Sequence, residues 1–456
     1  MAFSDTHTLI KGLGSRIRGS VWQPDESGYR AAAPWNTSVP FHPAAVVDVL
    51  DAADVSAAVG FAAANGYQVA VQATGHGAIA RFDDTLLIHT ARLDECIVRP
   101  EEQLAVVGAG VTAQRLIDAA AEHGLASIVG SAGTVGVAGY LSGGGIGPLV
   151  STFGLSSDHI VSLNVVTGDG KVRHVSPEED PELFWAFRGG KSSLGIITSV
   201  TLRLVPLTHF YGGAIWFSGD DAPAVLGLWA TWSLALPEEI STSIALMRAP
   251  AEGPPPAIAG RYVVAVRVGS VLSVEATETF LAPIRAAAAV ILDSVALFGF
   301  RDIGRISDEP ADPEPLVQDQ ALLSEFAAGA VDALLDAFTS QVGAPLAVAE
   351  VRRLGGALAR TPEHPSAFSF RTAPFSLLAI GFAPLGETTP VADAATELLA
   401  HLDPRSENTI LANFVATADP QRARLAYDEE TRSRLGQLAR IYDPHSILAR
   451  RPKETT

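Results

Sequence analysis

The sequence predicts an α+β fold built in more than one part, and three features carry that expectation. The first two hundred residues interleave short apolar strands with helix-like stretches and glycine-rich turns. From about Pro206 long Ala/Leu helices alternate with strands, the pattern of an antiparallel sheet covered by helices. The chain has 456 residues, more than a single core usually serves, so two or three domains are expected.

Taken in order, Ala45-Val-Val-Asp-Val-Leu50 reads as a strand. Asp54 is expected to cap a helix from Val55 to Asn65 that Gly66 closes. Tyr67–Gln72 alternates as a strand and runs into Ala73-Thr-Gly-His-Gly77, so a β-α-β unit ends in a glycine-flanked histidine loop. Leu86–Thr90 and Gln103–Gly108 read as strands, and Thr112 is placed to cap a helix reaching His123 before Gly124. Residues 160–175 form a hairpin around Gly168-Asp-Gly170, and Asp180-Pro181 opens a short helix to Arg188. Gly195–Leu204 is a long strand. Beyond it, helices are expected over 274–290 and 322–339 and strands over 262–268 and 376–382, with proline-rich surface loops at 252–256 and 308–315.

Composition narrows the function. Apolar residues make up 48% and charged residues 18%, which fits a packed globular chain rather than a disordered one. Lys plus Arg number 32 against 50 Asp plus Glu, a net charge of −18 that repels phosphate backbones, so no nucleic-acid partner is expected. No apolar run approaches the roughly 20 residues that cross a bilayer. The N-terminus lacks a basic flank followed by an apolar stretch, so a cytoplasmic protein with no membrane partner is expected. A lone Cys96 rules out an internal disulfide and a thiolate metal cluster.

Two glycine clusters and one histidine invite a ligand. Val107-Gly-Ala-Gly110 follows a strand and opens a helix, as a dinucleotide fingerprint does. The carboxylate that fingerprint needs about 20 residues on is missing from Ala126–Gly130, so a nicotinamide site is rejected and turn glycines are expected instead. The cluster from Gly130 to Gly147 interleaves glycine with Val135, Val137, Tyr140, Leu141 and Ile146, which suits a pyrophosphate held by backbone N–H groups better than a loose loop. His76, between two glycines at a strand end, is presented to whatever the loop embraces. An imidazole there can act as base, ligand or nucleophile, and no second histidine nearby has metal-ligand spacing.

These pieces occur in a fixed order: Tyr29 and Trp35-Asn36; Gly75-His76; Val107–Gly110; Val135-Gly-Val-Ala-Gly139; Ser142-Gly-Gly-Gly145; Phe153–Asp158; Leu183–Gly190; Gly195-Ile-Ile-Thr198. Together they resemble the berberine-bridge-enzyme-like branch of the vanillyl-alcohol oxidase and p-cresol methylhydroxylase flavoproteins, which includes bacterial hydroxynicotine oxidases. The resemblance implies a two-part FAD-binding domain (1–206, completed by 410–456) and an inserted substrate domain (207–409). It implies FAD held by Ala73, Thr74, Gly75, His76, Gly77, Thr134, Val135, Gly136, Gly139, Ser142, Gly144, Gly145 and Ile197. It also implies a covalent bond from His76 to the flavin ring methyl group. A second bond from cysteine, made by many relatives, has Ala132 in its slot here, so one attachment is expected.

Two positions depart from the family pattern. The usual Arg-x-Gly-Gly-His reads Gln72-Ala-Thr-Gly-His76, and Arg450-Arg-Pro-Lys453 stands where asparagines are common after Tyr442-Asp-Pro444. On the substrate side, Val348–Gly356 resembles the family strand that faces the flavin. Alternation puts Glu350 and Arg352 on one face, where a carboxylate could take a proton and an arginine could hold an acidic substrate group; the alternative is an ordinary salt-bridged strand surface. Tyr140 and Asn413 join them as candidates by their place in the motifs. The expected activity is an FAD-dependent oxidase of a small secondary-metabolite-like alcohol or amine, with dioxygen as acceptor, in a monomer or homodimer. The alternatives are a flavin dehydrogenase with another acceptor and a degenerate flavin-binding protein.

Overall fold

Three sheets carry the fold in the computed structural model, which describes residues 10–78, 85–191, 194–402, 409–415 and 420–448. The altered tail at 450–453 lies outside the described residues.

The first sheet holds β1 (Ser20–Trp22), β2 (Ala45–Asp48), β3 (Gln68–Gln72) and β4 (Thr85–His89) in the order β1-β2-β4-β3. β2, β4 and β3 run parallel, and β1 closes the edge antiparallel. Helix α1 (Ala52–Asn65) crosses from β2 to β3 and ends at Gly66, whose φ of 74° is the left-handed stop that glycine permits. The cap is Asp51, not Asp54: its carboxylate accepts the Asp54 N–H. Asp54 is buried and receives the amides of Arg18, Gly19 and Leu50, pinning the N-terminal segment.

The second sheet is antiparallel: β5 (Cys96–Arg99), β6 (Leu104–Gly108), β7 (Ile160–Thr167), β8 (Val172–Val175) and β9 (Gly195–Arg203), in the order β5-β6-β9-β7-β8. The expected hairpin is β7–β8, turning at Gly170 with φ 79°. Helices α2 (Ala113–Ala121), α3 (Val137–Ser142) and α4 (Pro181–Phe187) join this layer. Asp180 precedes α4 with φ 66° and makes no side-chain cap; its carboxylate accepts the Tyr442 hydroxyl instead.

The third sheet is larger: β10 (His209–Ser218), β11 (Ile240–Arg248), β12 (Tyr262–Ser270), β13 (Val290–Asp293), β14 (Ala296–Gly299), β15 (Leu316–Leu323), β16 (Val348–Arg353) and β17 (Phe375–Phe382). All pairings are antiparallel, in the order β13-β10-β12-β11-β16-β17-β15, with β14 also on β10. Helices α5 (Ala222–Trp232), α6 (Val274–Arg285), α7 (Ala328–Thr339) and α8 (Thr389–His401) belong to the same half. Val225, Trp229, Leu334, Phe338 and Leu398 from these helices share a core with Ile244, Val266, Val351 and Leu377 of the strands. That core takes one face of each strand and leaves the alternate face for something else.

Two expected helices are shorter than the apolar runs suggest. Leu322 and Leu323 end β15, paired with Ser376 and Phe375, and the helix begins only at Ala328. An apolar run without a breaker does not distinguish strand from buried helix. α6 stops at Arg285, just after Pro283, and Val290 starts β13 against Phe217.

The halves are tied together by buried polar groups. Arg188 is 2% exposed and donates to the Ser157 and His364 carbonyls and to Asp158, which also takes Arg371. The Asn36 side chain exchanges two hydrogen bonds with the backbone of Leu316. At the far end, α9 (Glu429–Tyr442) leads into Asp443, whose fully buried carboxylate accepts the Ile447 and Leu448 amides. This turn delivers Leu448 beside Val69, so the C-terminal segment returns to the first sheet. Among the described residues no helix is long and apolar enough to cross a membrane.

Candidate active site

β3 feeds the chain into the His76 loop, and the loop's shape leaves little choice of residue. Gly75 has φ 82°, and a Cβ there would sit 2.5 Å from Pro34 Cα, so both torsion and space call for glycine. The Trp35 amide donates to the Thr74 carbonyl, and the Trp35 ring stacks on the imidazole at 4.4 Å and 15°. Thr74 Oγ1 lies 3.0 Å from His76 Nδ1, and Thr134 Oγ1 lies 3.0 Å from Nε2. The ring is thus fixed in plane and in rotation. Burial pulls its pKa down to about 4, so at neutral pH it is an uncharged imidazole.

Thr134 belongs to a loop anchored on the start of α2. The Ala113 amide donates to the Val135 carbonyl, Gln114 to Gly133, and Val137 to Val111. Among the described residues, no protein acceptor takes the backbone N–H groups of Gly130 to Thr134. Gly130, Ser131 and Ala132 line a cavity, so the first three of these free donors border open space. Gly136 lets α3 begin close to the His76 loop, where a Cβ would meet that of Ala73 at 3.3 Å. Gly139 lines the same cavity, and a Cβ added there would meet nothing within 4 Å.

The glycine cluster expected as one cradle divides in two. Gly130, Ser131, Ala132, Val135, Gly136, Ala138 and Gly139 line the cavity. Gly144 and Gly145 are absent from its lining; with φ of 100° and 79°, they give way to the Phe368 ring and to Tyr140 and Ser156. Ser142 lines the cavity but donates its hydroxyl to the Gly139 carbonyl. Gly108 and Gly110 are likewise explained without left-handed torsion: a side chain at either would overlap the carbonyl oxygens of Leu93 or Ala91. The rejected nicotinamide fingerprint is a tight strand crossing.

The third sheet supplies another wall. Arg267, Ser243, Arg352 and Ser376 lie side by side across β12, β11, β16 and β17. The next row on the same face holds Ala265, Ala245, Glu350 and Leu378, and the one after it Val263, Met247, Val348 and Ile380. Glu350 is 7% exposed, with Arg352 Nη2 at 3.1 Å and Arg267 Nη1 at 3.3 Å. Burial alone pushes its carboxyl up, but the two guanidinium groups outweigh this and hold it down at about 2. A proton acceptor works best with a pKa near the working pH. Two arginine partners give Glu350 the setting of a counter-ion, the salt-bridged alternative to a base.

These walls enclose one cavity of about 1250 Å³, above the roughly 300–1,000 Å³ of ordinary ligand pockets. It brings together Ala73 to Gly77, Val135, Gly136, Gly139, Ser142, Ile197, Tyr140, Glu350, Arg352 and Asn413. Thr134 reaches it through His76. Burial raises the pKa of the Tyr140 phenol, with the Ser156 hydroxyl beside it opposing the shift. Gln72 donates to the Ala32 carbonyl while its buried Oε1 has no partner. Asn413 sits in a short turn (Ala412–Phe414), donates to the Tyr140 carbonyl and receives Lys191. Among the lining residues that the sequence did not single out, two carry charge at the site. Lys191 follows the Gly189-Gly190 pair with φ 60°, and Arg267 is the lone charge in a valine-rich strand. Cys96 lies on edge strand β5, outside the cavity lining, whereas Ala132 is part of it.

Comparison with known proteins bears on the cofactor and the fold. Residues 43–176 match the family model described as an FAD binding domain. A curated relative, (R)-6-hydroxynicotine oxidase of Paenarthrobacter nicotinovorans, is 34% identical over 194 residues, 42% of each chain, so the match spans less than half of that protein. The crystal structure of 6-hydroxy-D-nicotine oxidase from Arthrobacter nicotinovorans superposes with a TM-score of 0.82 at 25% identity, covering 95% of this chain and 96% of the other. BBE-like 1 of Physcomitrella patens gives 0.83 at 18% identity, with 96% and 97% covered. The chain carries an FAD-binding domain, counts FAD-linked oxidoreductases among its homologues, and has the fold of the vanillyl-alcohol oxidase and p-cresol methylhydroxylase flavoproteins.

Proposed function

We propose that this chain is an FAD-dependent oxidase that holds its cofactor covalently through His76 alone and oxidises a small alcohol or amine of secondary-metabolite type. One observation carries the reading. A neutral imidazole, clamped by two threonine hydroxyls, shares its cavity with a run of uncommitted backbone N–H groups. The first suits attachment of a cofactor ring, and the second suits an anion such as a pyrophosphate. The unpartnered Gln72 Oε1 and the open space beside Gly139 fit a large polar ligand in the same place. The absence of sulfur at Ala132, and the position of Cys96 outside the lining, support a single link.

In this reading residues 1–206 and 410–456 bind FAD, with Ala73–Gly77, Thr134–Gly136, Gly139 and Ile197 around it, while 207–409 presents the substrate wall. When bound, FAD supplies a two-electron acceptor for a substrate C–H bond, and dioxygen takes the electrons onward. The protein's own part is to hold and exclude. Thr74 and Thr134 orient His76, Tyr140 and Asn413 pack at the junction of the two walls, and Glu350 fixes the arginines beside it. Glu350 is thus a positioning residue.

Anaerobic reduction with stoichiometric dithionite, followed by mixing with air-saturated buffer, tests the acceptor. An oxidase regains its oxidised flavin spectrum on mixing. Flavin that stays reduced in air but reoxidises with an artificial dye would replace the oxidase by a dehydrogenase.

A further inference from the structure

The sheet wall of the cavity carries more positive charge than it neutralises. Arg267 on β12 and Arg352 on β16 flank Ser243 of β11, so two strand spacings, roughly 10 Å, separate their Cα atoms. Both side chains turn to one carboxylate, Glu350. Each guanidinium has five donors, and these are poorly used. Arg352 spends one on the Ile146 carbonyl and one on Glu350. Arg267 spends one on Glu350, points Nη2 at the Met247 sulfur 3.7 Å away, and leaves Nε buried without a partner. Asp308, Glu309 and Glu314 also line the cavity, from the proline-rich loop; among the described residues none forms an ion pair with either arginine, and Glu309, which takes the Ser131 hydroxyl, acts on Arg352 only through space. A buried cation in excess is costly unless an anion joins it.

Beyond Glu350 the rows are largely apolar, with Gln318 of β15 beside Ile380 at their edge. Leu378 adjoins Glu350, with Trp216 at the far end of that row. Met247, Val348 and Ile380 follow one pleat repeat, roughly 7 Å, further on. Resting on the proposed function, we infer that the substrate carries a carboxylate-like anionic group at one end of an apolar body, that Arg267 and Arg352 clamp that group, and that Arg267 is a specificity-determining residue. The apolar body lies along Met247, Val348 and Ile380.

The test titrates the purified holoprotein with sodium benzoate, benzamide and sodium acetate, reading the flavin absorption band and the melting temperature. Benzoate should bind saturably, and benzamide and acetate at least tenfold more weakly, because one lacks the charge and the other the ring. Arg267→Met should weaken benzoate at least tenfold with FAD content unchanged, and Arg267→Lys should restore part of it. Benzamide binding as tightly as benzoate, no benzoate binding, or unaltered affinity in Arg267→Met would overturn the clamp. The wild-type comparison stands even if that variant does not fold. Protein that purifies without flavin contradicts the cofactor reading instead, and the melting shifts still report on the clamp.

Discussion

Replacing His76 with alanine should convert a chain that keeps all its flavin on denaturation into one that releases all of it. The imidazole is held for this role by its surroundings rather than by its own chemistry. Gly75 turns the loop, Trp35 covers one ring face, and Thr74 and Thr134 meet the two nitrogens. Burial keeps the ring uncharged at neutral pH, so a lone pair is available for bond formation. The variant should still bind FAD in the native state, because the 130–134 amides and the C-terminal turn do not depend on the ring. Yellow colour that stays with the unfolded variant would sink the assignment, and a flavin-bearing peptide containing Cys96 would refute the single link.

Glu350→Gln should cost about 3–5 kcal/mol of stability at neutral pH, since it keeps the shape but leaves two buried guanidinium groups without their counter-charge. The pH dependence identifies the cause. A carboxyl whose pKa falls from 4.5 to about 2 on folding adds about 3 kcal/mol. That contribution is present above the unfolded-state value and disappears as pH falls through the folded one. The gap between wild-type and variant melting curves should therefore narrow below pH 4.5 and close near pH 2. FAD content should not change, and flavin reduction by an active substrate should slow less than tenfold. A loss of about 10²–10⁴-fold in that rate, with stability intact, would return Glu350 to the role of proton acceptor.

How far the sequence foretold this site depends on how local each signal was. The His76 loop was legible because strand, glycines and histidine are contiguous. Glu350 and Arg352 were legible because period-two alternation needs only one strand. Their partner Arg267 is 83 residues from Glu350 and joins it only through the pairing of β12, β11 and β16, which no local pattern encodes. The same blindness to partners left Glu350 open between a base and a salt-bridged strand residue, because a carboxylate's character is set by the charges folded against it. Lys191 was missed because its cue is a positive φ after two glycines. The apolar run from Leu322 misled because its first two residues answer to β17 and not to the helix that follows.

The cavity between the His76 loop and the third sheet is proposed above as a flavin site. The visible absorption spectrum of the purified chain tests it most directly, with FAD quantified per polypeptide. Oxidised-flavin bands at one FAD per chain are expected. A colourless chain that stays colourless after incubation with excess FAD would contradict it.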